Sequence, residues 1–489
     1  MNFLKRPIFL SLLSALLLSL PWLGAGPWWV LVAFVPLLWL QKSFQSQARR
    51  GFLWWVALSL FVWIALCCFW VSLAFAAASF IVPMVGVASL WPAWWLYNIV
   101  SKRSTRALSY VVLIAGWIAA EWWYSMGDVS FPWLTLGGAW AQWPWAVQWY
   151  SATGIYGGTL WILVANVAIY TALTRRRVWF FAAAWVAIPL GLSLTMYWSY
   201  QEPRQTIQVA AIQPNIDPYT EKYATDGLRS VLSLAADAPQ GVELFVAPET
   251  VITSAIDLDN IAQSASIAQL QLFLREKAPD AAFVIGASAY SKETFYNVSL
   301  YVDTLGVQVY RKSKLVIGVE TTPDWVADFA GAIDMGGYVG SLGRQKEREV
   351  FRGPYPLGAA ICYESIYGQY FAQWSARGAQ IMAVITNDGW WGDTPGYRHH
   401  FAYARLRAVE NRRSIVRAAN TGISALIGPK GEIRESLPWD RRGIITGALP
   451  LNTATTPYTV WGDLTARLAI YVLALSLLFF VGERFRRKV

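Results

Sequence analysis

The sequence predicts two architectures in one chain: an α-helical membrane domain of about eight spans and an extracytoplasmic α/β domain. Three observations predict them. Hydrophobic residues make up 56% of the 489 positions and charged residues only 14%, against about a quarter charged in ordinary globular chains. Through the first 200 positions, long apolar runs alternate with short basic clusters. From Ile207 the texture changes to short β-rich runs separated by helical stretches.

A spanning helix needs about 20 apolar residues, with roughly 17 to 25 tolerated. Runs of that kind lie near Pro7–Leu23, Gly24–Leu40, Phe52–Phe75, Ala78–Val100, Ala107–Tyr124, Gly157–Leu173, Val178–Tyr200 and Leu464–Val481. The second is short and interrupted by proline. The first is read as a retained helix rather than a signal peptide, because no small-x-small cleavage site follows it before the next apolar run. The expected organisation is transmembrane helices 1–7 in residues 1–200, an outer domain in 201–458, and an eighth helix with a basic tail in 459–489.

The basic clusters set the orientation. They are Lys5 and Arg6; Lys42, Arg49 and Arg50; Lys102, Arg103 and Arg106; Arg175, Arg176 and Arg177; and Arg484, Arg486, Arg487 and Lys488. If the first is cytoplasmic, as the positive-inside rule requires, every later cluster follows an even number of crossings and is cytoplasmic too. The polar stretch is then extracytoplasmic and both termini are inside. These clusters hold 15 of the 40 basic residues and one acid, Glu483, so the rest of the chain carries 25 basic against 29 acidic residues. The net charge of +10 therefore belongs to loops and tails, which argues against nucleic-acid binding.

Between spans five and six, Phe131, Pro132, Trp133, Trp140, Trp143, Trp145 and Trp149 crowd together. They read as an aromatic belt at the headgroup level, or as one wall of a lipid-entry cleft. Glu121, ionisable within an apolar run, is a functional candidate by default. Of the three cysteines, Cys67 and Cys68 lie in an apolar run, and only Cys362 has a polar setting. That count gives no disulfide framework.

In the polar segment, strands are expected at Ile207–Gln213, Leu244–Ala247, Ala282–Gly286, Ser299–Val302, Leu357–Ile361, Met382–Thr386 and Ser424–Ile427. Amphipathic stretches such as Ile261–Lys277 and His399–Asn411 lie between them, which argues for a layered α/β domain. Ligands of open α/β sheets bind beyond the carboxyl ends of strands. Glu249 follows Leu244–Pro248, Lys312 follows Tyr310-Arg311, and Cys362 follows Gly358–Ile361. Singly, each has an ordinary reading as a cap, a surface charge and a small buried side chain.

Together, Ala247-Pro248-Glu249, Tyr310-Arg311-Lys312 and Ile361-Cys362-Tyr363-Glu364 resemble the three signatures of the nitrilase (carbon–nitrogen hydrolase) superfamily. With eight flanking spans the chain is similar to its apolipoprotein N-acyltransferase branch. The resemblance includes Phe131-Pro132-Trp133, Thr386-Asn387-Asp388-Gly389-Trp390-Trp391-Gly392, Arg407–Arg413 and Asn420-Thr421-Gly422. Two positions depart from the family pattern. Val316–Glu320 lacks the usual proline after the lysine, and the aromatic expected after Asn215-Ile216 is usually tryptophan, for which the candidate here is Tyr223.

The resemblance implies a nitrilase-like αββα sandwich in which Glu249 is the base, Lys312 and the amide of Tyr363 hold the oxyanion, and Cys362 is the nucleophile. It implies a ping-pong reaction in which a phospholipid acylates Cys362 and the amine of a diacylglyceryl-cysteine at an apolipoprotein N-terminus takes the acyl group. Glu320 matches a supporting carboxylate, Glu364 orders the site and Asn297 anchors a loop. Trp390, Trp391, Tyr223, Trp133 and Glu121 are expected lipid contacts. No cofactor and no metal are expected, since the adjacent His399 and His400 lack ligand spacing. A monomer is expected. The alternatives are a membrane-tethered amidohydrolase using the same residues and a non-catalytic lipid-binding scaffold.

Overall fold

The structure, a computed structural model, describes residues 6–74, 76–127, 130–175, 178–217, 226–321 and 341–486. The chain divides into two units, Met1–Trp198 with Trp461–Val489, and Ser199–Val460.

In the first unit, five described helices are long and apolar enough to cross a membrane: Ala78–Ser101, Arg106–Met126, Tyr150–Thr174, Trp179–Ser199 and Leu464–Arg486. The helices Pro7–Ser19 and Phe52–Cys68 are shorter, so the apolar runs read at those places exceed the regular helix they form. The run at Gly24–Leu40 is not one helix. Gly24 and Gly26 sit at φ +88° and +91°, a 3-10 turn covers Pro27–Leu31, and a new helix, Val35–Ser46, begins with proline in its first turn. The two glycines take a left-handed backbone that no helix continues, and each proline opens a new helical segment because its missing N–H is tolerated in a first turn but not in an interior.

Broken backbone in an apolar setting must find other hydrogen-bond partners. Asn166 supplies them here. Its amide nitrogen donates to the Val30 carbonyl at 2.8 Å, and its oxygen accepts from the Phe34 N–H at 2.7 Å.

The tryptophan-dense loop differs from an aromatic belt. It folds into 3-10 turns at Pro132–Leu134, Leu136–Trp140 and Pro144–Ala146. Trp133 and Trp140 are buried, Trp133 stacking on Phe131 at 5.5 Å and tilting against Trp70 at 4.8 Å. The loop's polar backbone needs internal partners and its rings fill the space around them, so these two rings pack inward.

The second unit has two sheets. The first runs β12 (Gly443–Pro450), β1 (Thr206–Gln213), β2 (Leu244–Val246), β4 (Ala282–Ser291), β5 (Thr294–Val302), β6 (Val307–Arg311), with β3 (Ile252–Asp257) paired to β4. The second runs β11 (Ile433–Leu437), β10 (Ser424–Ile427), β9 (Ser414–Ala419), β8 (Ile381–Thr386), β7 (Leu357–Ile361). Strands β1, β2 and β4 are parallel, as are β7, β8 and β9.

Successive residues of a strand face opposite sides, and the core follows that rule. Val209 and Ala211 pack with Ile361, Ile385 and Val416 of the second sheet. Ala210 and Ile212 pack with α1 (Gly227–Ala236) and α2 (Ala265–Lys277) through Val231, Leu270 and Leu274. On the second sheet, α3 (Gly368–Ala376) and α4 (Pro395–Asn411) contribute Phe371, Trp374, Phe401 and Ala404. The unit is a helix–sheet–sheet–helix sandwich. Each large apolar side chain so enclosed is worth about 1.5–3 kcal/mol.

Candidate active site

Three strand ends bring the candidate residues together. Glu249 lies three residues beyond β2, in a bend where Thr250 takes φ +51°. Gly286 of β4 makes the bend possible: a Cβ there would stand 2.5 Å from the Glu249 Cα and from the Thr250 nitrogen. Lys312 extends β6 by one residue, its N–H donating to the Asn297 carbonyl of β5 at 2.8 Å. Cys362 follows β7 directly and opens a 3-10 turn, Cys362–Ile366.

Lys312 is buried, and its Nζ lies 2.9 Å from Glu249 Oε1 and 3.0 Å from Glu320 Oε1. The Asn297 amide donates to the same two oxygens at 2.8 Å each. The outer oxygens are held by backbone, Glu249 Oε2 by the Asn387 N–H at 3.2 Å and Glu320 Oε2 by the Val316 N–H at 2.8 Å. Burial disfavours the Lys312 charge, but the Glu249 and Glu320 carboxylates outweigh it and hold the ammonium protonated, well above the usual lysine range. Such a group can stabilise an anion but cannot serve as a base.

Cys362 adopts φ +50°, a left-handed conformation that costs a non-glycine residue about 1–2 kcal/mol. Two contacts hold it there. Its carbonyl lies 3.0 Å from His400 Nε2 and accepts from the Ser365 hydroxyl at 2.7 Å. His400 Nδ1 lies 2.9 Å from Asp388 Oδ1, and Arg417 donates to Asp388 Oδ2 at 2.7 Å. Burial alone would raise the Asp388 carboxyl, yet the Arg417 guanidinium and His400 hold it below the usual carboxylate range. Burial, and next the negative charge of Glu249, push the Cys362 thiol well above the ordinary thiol range, against the opposing pull of Lys312. The resting sulfur is a thiol, so a base must act on it during attack.

Glu364 orders the far side of the turn. It accepts from the Ser313 N–H at 2.7 Å, the Tyr310 hydroxyl at 2.8 Å, the Ile361 N–H at 2.9 Å and the Tyr370 hydroxyl at 3.0 Å. It thereby ties the Lys312 segment to the Cys362 segment. Tyr363 is buried, its ring 5.3 Å from that of Tyr367.

The expected lipid contacts fall in both units. Trp390 and Trp391 are half-buried, Trp391 edge-on to His400 at 5.5 Å. Tyr223 lies outside the described residues. In the other unit, buried Glu121 accepts from Trp117 Nε1, the Leu136 N–H and the Thr159 hydroxyl, each at 2.8 Å. The cavity beside it holds about 30 Å³, room for a water or two and not for an acyl chain.

Reading the sequence missed the Asp388–His400–Arg417 chain. Its signal was Arg417, the one charge in the strand Ser414–Ala419, since a buried charge demands a partner. Among the described residues, no group of three His, Cys, Asp or Glu side chains is placed to hold a metal ion.

Comparison with known proteins gives the same two parts. The carbon-nitrogen hydrolase family matches residues 208–456, and the apolipoprotein N-acyltransferase N-terminal domain matches residues 14–168. The apolipoprotein N-acyltransferase of Chlorobaculum tepidum is 30% identical, with 96% of this chain and 95% of the relative covered. That of Methylococcus capsulatus is 27% identical over 87% of this chain and 86% of its own. Among solved structures, an amidase from Nesterenkonia sp. is 20% identical, with a TM-score of 0.38, covering 51% of this chain and 92% of that one. Nit3 of Saccharomyces cerevisiae, a nitrilase-superfamily member, is 18% identical, with a TM-score of 0.37 and coverage of 51% and 92%.

Proposed function

Because the chain belongs to the apolipoprotein N-acyltransferase family, we propose that it N-acylates the diacylglyceryl-cysteine at the N-terminus of apolipoproteins through a thioester on Cys362. Phospholipid is the acyl donor. The arrangement that carries this reading is the buried Glu249–Lys312–Glu320–Asn297 cluster beside a strained cysteine.

In the first half-reaction Glu249 takes the thiol proton as sulfur attacks the ester carbonyl. Lys312 and the Tyr363 N–H stabilise the oxyanion. The C–O bond breaks, and Glu249 returns the proton to the departing lysophospholipid. In the second, the acceptor amine attacks the thioester carbonyl, Glu249 takes the amine proton, the C–S bond breaks and the thiol is restored. The product amide is more stable than the thioester, which drives the exchange forward. Two substrates using one site in turn give ping-pong kinetics.

The electrostatics support this division of roles. A thiol held neutral needs a base in the transition state, and an ammonium held charged suits an anion that develops there. Glu320 and Asn297 position the pair, and Glu364 positions the turn. Trp390, Trp391 and Tyr223 would meet lipid. The basic clusters support a topology with the second unit outside the cytoplasmic membrane and both termini inside. The enzyme is read as a monomer.

The test is mass spectrometry of the full chain after incubation with phospholipid. An acyl adduct on Cys362, discharged by a diacylated lipopeptide, is expected. Release of free fatty acid without transfer to the peptide would indicate a hydrolase, and an unmodified thiol would refute the reaction.

A further inference from the structure

The membrane unit has a groove that the proposed reaction does not use. It encloses about 520 Å³ between the helices Phe52–Cys68 and Ala78–Ser101, beside the loop that joins the first of them to Val35–Ser46. That volume lies within the range of about 300–1,000 Å³ usual for small-molecule clefts. Arg49, Arg50 and Lys102 line one end, and among the described residues no acidic one lines any part. None of these three cations forms an ion pair with a described residue. The Arg49 guanidinium rests over the Phe44 ring at 4.7 Å.

Apart from Gln45 and Asn98, the remainder of the lining is apolar, with Trp54, Ala88 and Trp91 among it. Trp91 is pinned as a wall by donating its indole N–H to the Leu53 carbonyl at 3.1 Å, and Trp54 is 80% exposed. The basic loop is held beside the groove by two left-handed residues, Ala48 at φ +51° and Gly51 at φ +94°.

A cationic mouth over an apolar trough matches one class of ligand. A neutral or cationic headgroup would leave three charges uncompensated, and a free anion would leave the trough empty. We propose that this groove binds an anionic phospholipid, its phosphate-bearing headgroup at Arg49, Arg50 and Lys102 and its acyl chain along Ala88 and Trp91. Basic pockets between membrane helices take anionic headgroups for this reason. On the topology proposed above, the bound lipid belongs to the inner leaflet and is structural, not an acyl donor.

The test uses the full chain, stripped of lipid in detergent and titrated with dioleoyl-phosphatidylglycerol or dioleoyl-phosphatidylcholine under native mass spectrometry. The anionic lipid should bind first and at least about tenfold more tightly. Arg50→Gln and Lys102→Gln should each weaken it about fivefold, the weight of one cation at an anionic surface. Ala88→Leu and Ala88→Trp keep every charge and fill the trough in graded steps, and should weaken binding in that order. Equal affinity for the two lipids would overturn the proposal. So would wild-type affinity in both Ala88 variants, since the lipid would then be gathering on surface charge alone. Thioester formation at Cys362 in the same variants shows that they are folded and reports separately on the proposed reaction.

Discussion

Two buried glutamates, one in each unit, show how surroundings divide one residue type into two uses. Glu121 and Glu249 are similarly buried, at 4% and 7% exposure. The donors to Glu121 are an indole, a backbone amide and a hydroxyl, all neutral. They staple the 3-10 turn at Leu136 to the helices Arg106–Met126 and Tyr150–Thr174. Glu249 instead shares a cation with a second carboxylate and stands beside a thiol whose proton it disfavours losing at rest. A carboxylate closed off by fixed donors supports a fold. A carboxylate balanced against a cation and an acidic hydrogen can exchange a proton.

That contrast is broken most directly at Glu249. Glu249→Gln keeps an acceptor for Asn297 and Lys312 but has no basic oxygen. Thioester formation should fall by about 10²–10⁴, the usual worth of a positioned base, while a thermal melt stays cooperative. Near-normal acylation in this variant would remove Glu249 from the chemistry. Lys312→Met should lower the same rate by about 10²–10³, the range for one oxyanion donor, and should also destabilise the unit, because Glu249 and Glu320 would then face each other without a cation.

The resting charge state gives a pH test of the same cluster. The Cys362 thiol and the Lys312 ammonium both hold their protons more tightly folded than unfolded. Cysteine alkylation by iodoacetamide at pH 7 should therefore be slower than for a free thiol, whose ionised fraction is already a few per cent. It should still be climbing above pH 9. By linkage, the stability these two groups contribute is complete below the ordinary thiol range and is lost as pH rises through their raised values. Asp388 has the opposite sign. Its carboxyl is held low, so its contribution is present above the usual aspartate range and is lost as pH falls through the lowered value. Fast alkylation at neutral pH would mean a standing thiolate and no need for a base.

Much of the second unit was legible because short apolar-rich runs bounded by turns announce themselves. Ile207–Gln213, Leu357–Ile361 and Ser424–Ile427 stand within one residue of where they were read. Strands with weaker signals were not found: β6, Val-Gln-Val-Tyr-Arg, alternates over only five residues, β9 is interrupted by Arg417, and β12 carries two glycines. The strand-end positions of Glu249 and Cys362 could be read from local texture. Their partnership with Glu320 and Asn297 could be reached only through family resemblance, since spacing along the chain does not report which loops meet. His400 was weighed only as a metal ligand, and its role as a brace for a left-handed cysteine needs coordinates to be seen. In the membrane unit, hydropathy overstated helix: Gly24–Leu40 is apolar enough, but the positive φ of Gly24 and Gly26 and the 3-10 turn at Pro27–Leu31 keep it from being one helix.

The brace gives a smaller expected effect. His400→Gln offers one amide in place of two ring nitrogens and should lose either the bond to the Cys362 carbonyl or the one to Asp388. One such bond is worth about 1.4 kcal/mol, or about tenfold in thioester formation. The pH dependence of alkylation should stay as in the wild type if His400 only positions the nucleophile. A shifted alkylation profile would give it a direct share in the proton chemistry.

The smallest effect on the reaction is expected at Glu121, and it completes the comparison. In Glu121→Gln the amide oxygen still accepts from Trp117 and Leu136, and the amide nitrogen donates to Thr159, whose hydroxyl can turn to accept. Both thioester formation and transfer to a lipopeptide should stay near wild type. Glu121→Ala strands three buried donors at about 1–3 kcal/mol each, so yield and thermal stability should drop sharply while activity per folded molecule persists. If Glu121→Gln instead abolished transfer in protein that melts normally, the two glutamates would share a role, and the neutral donors around Glu121 would have to be reread as a relay.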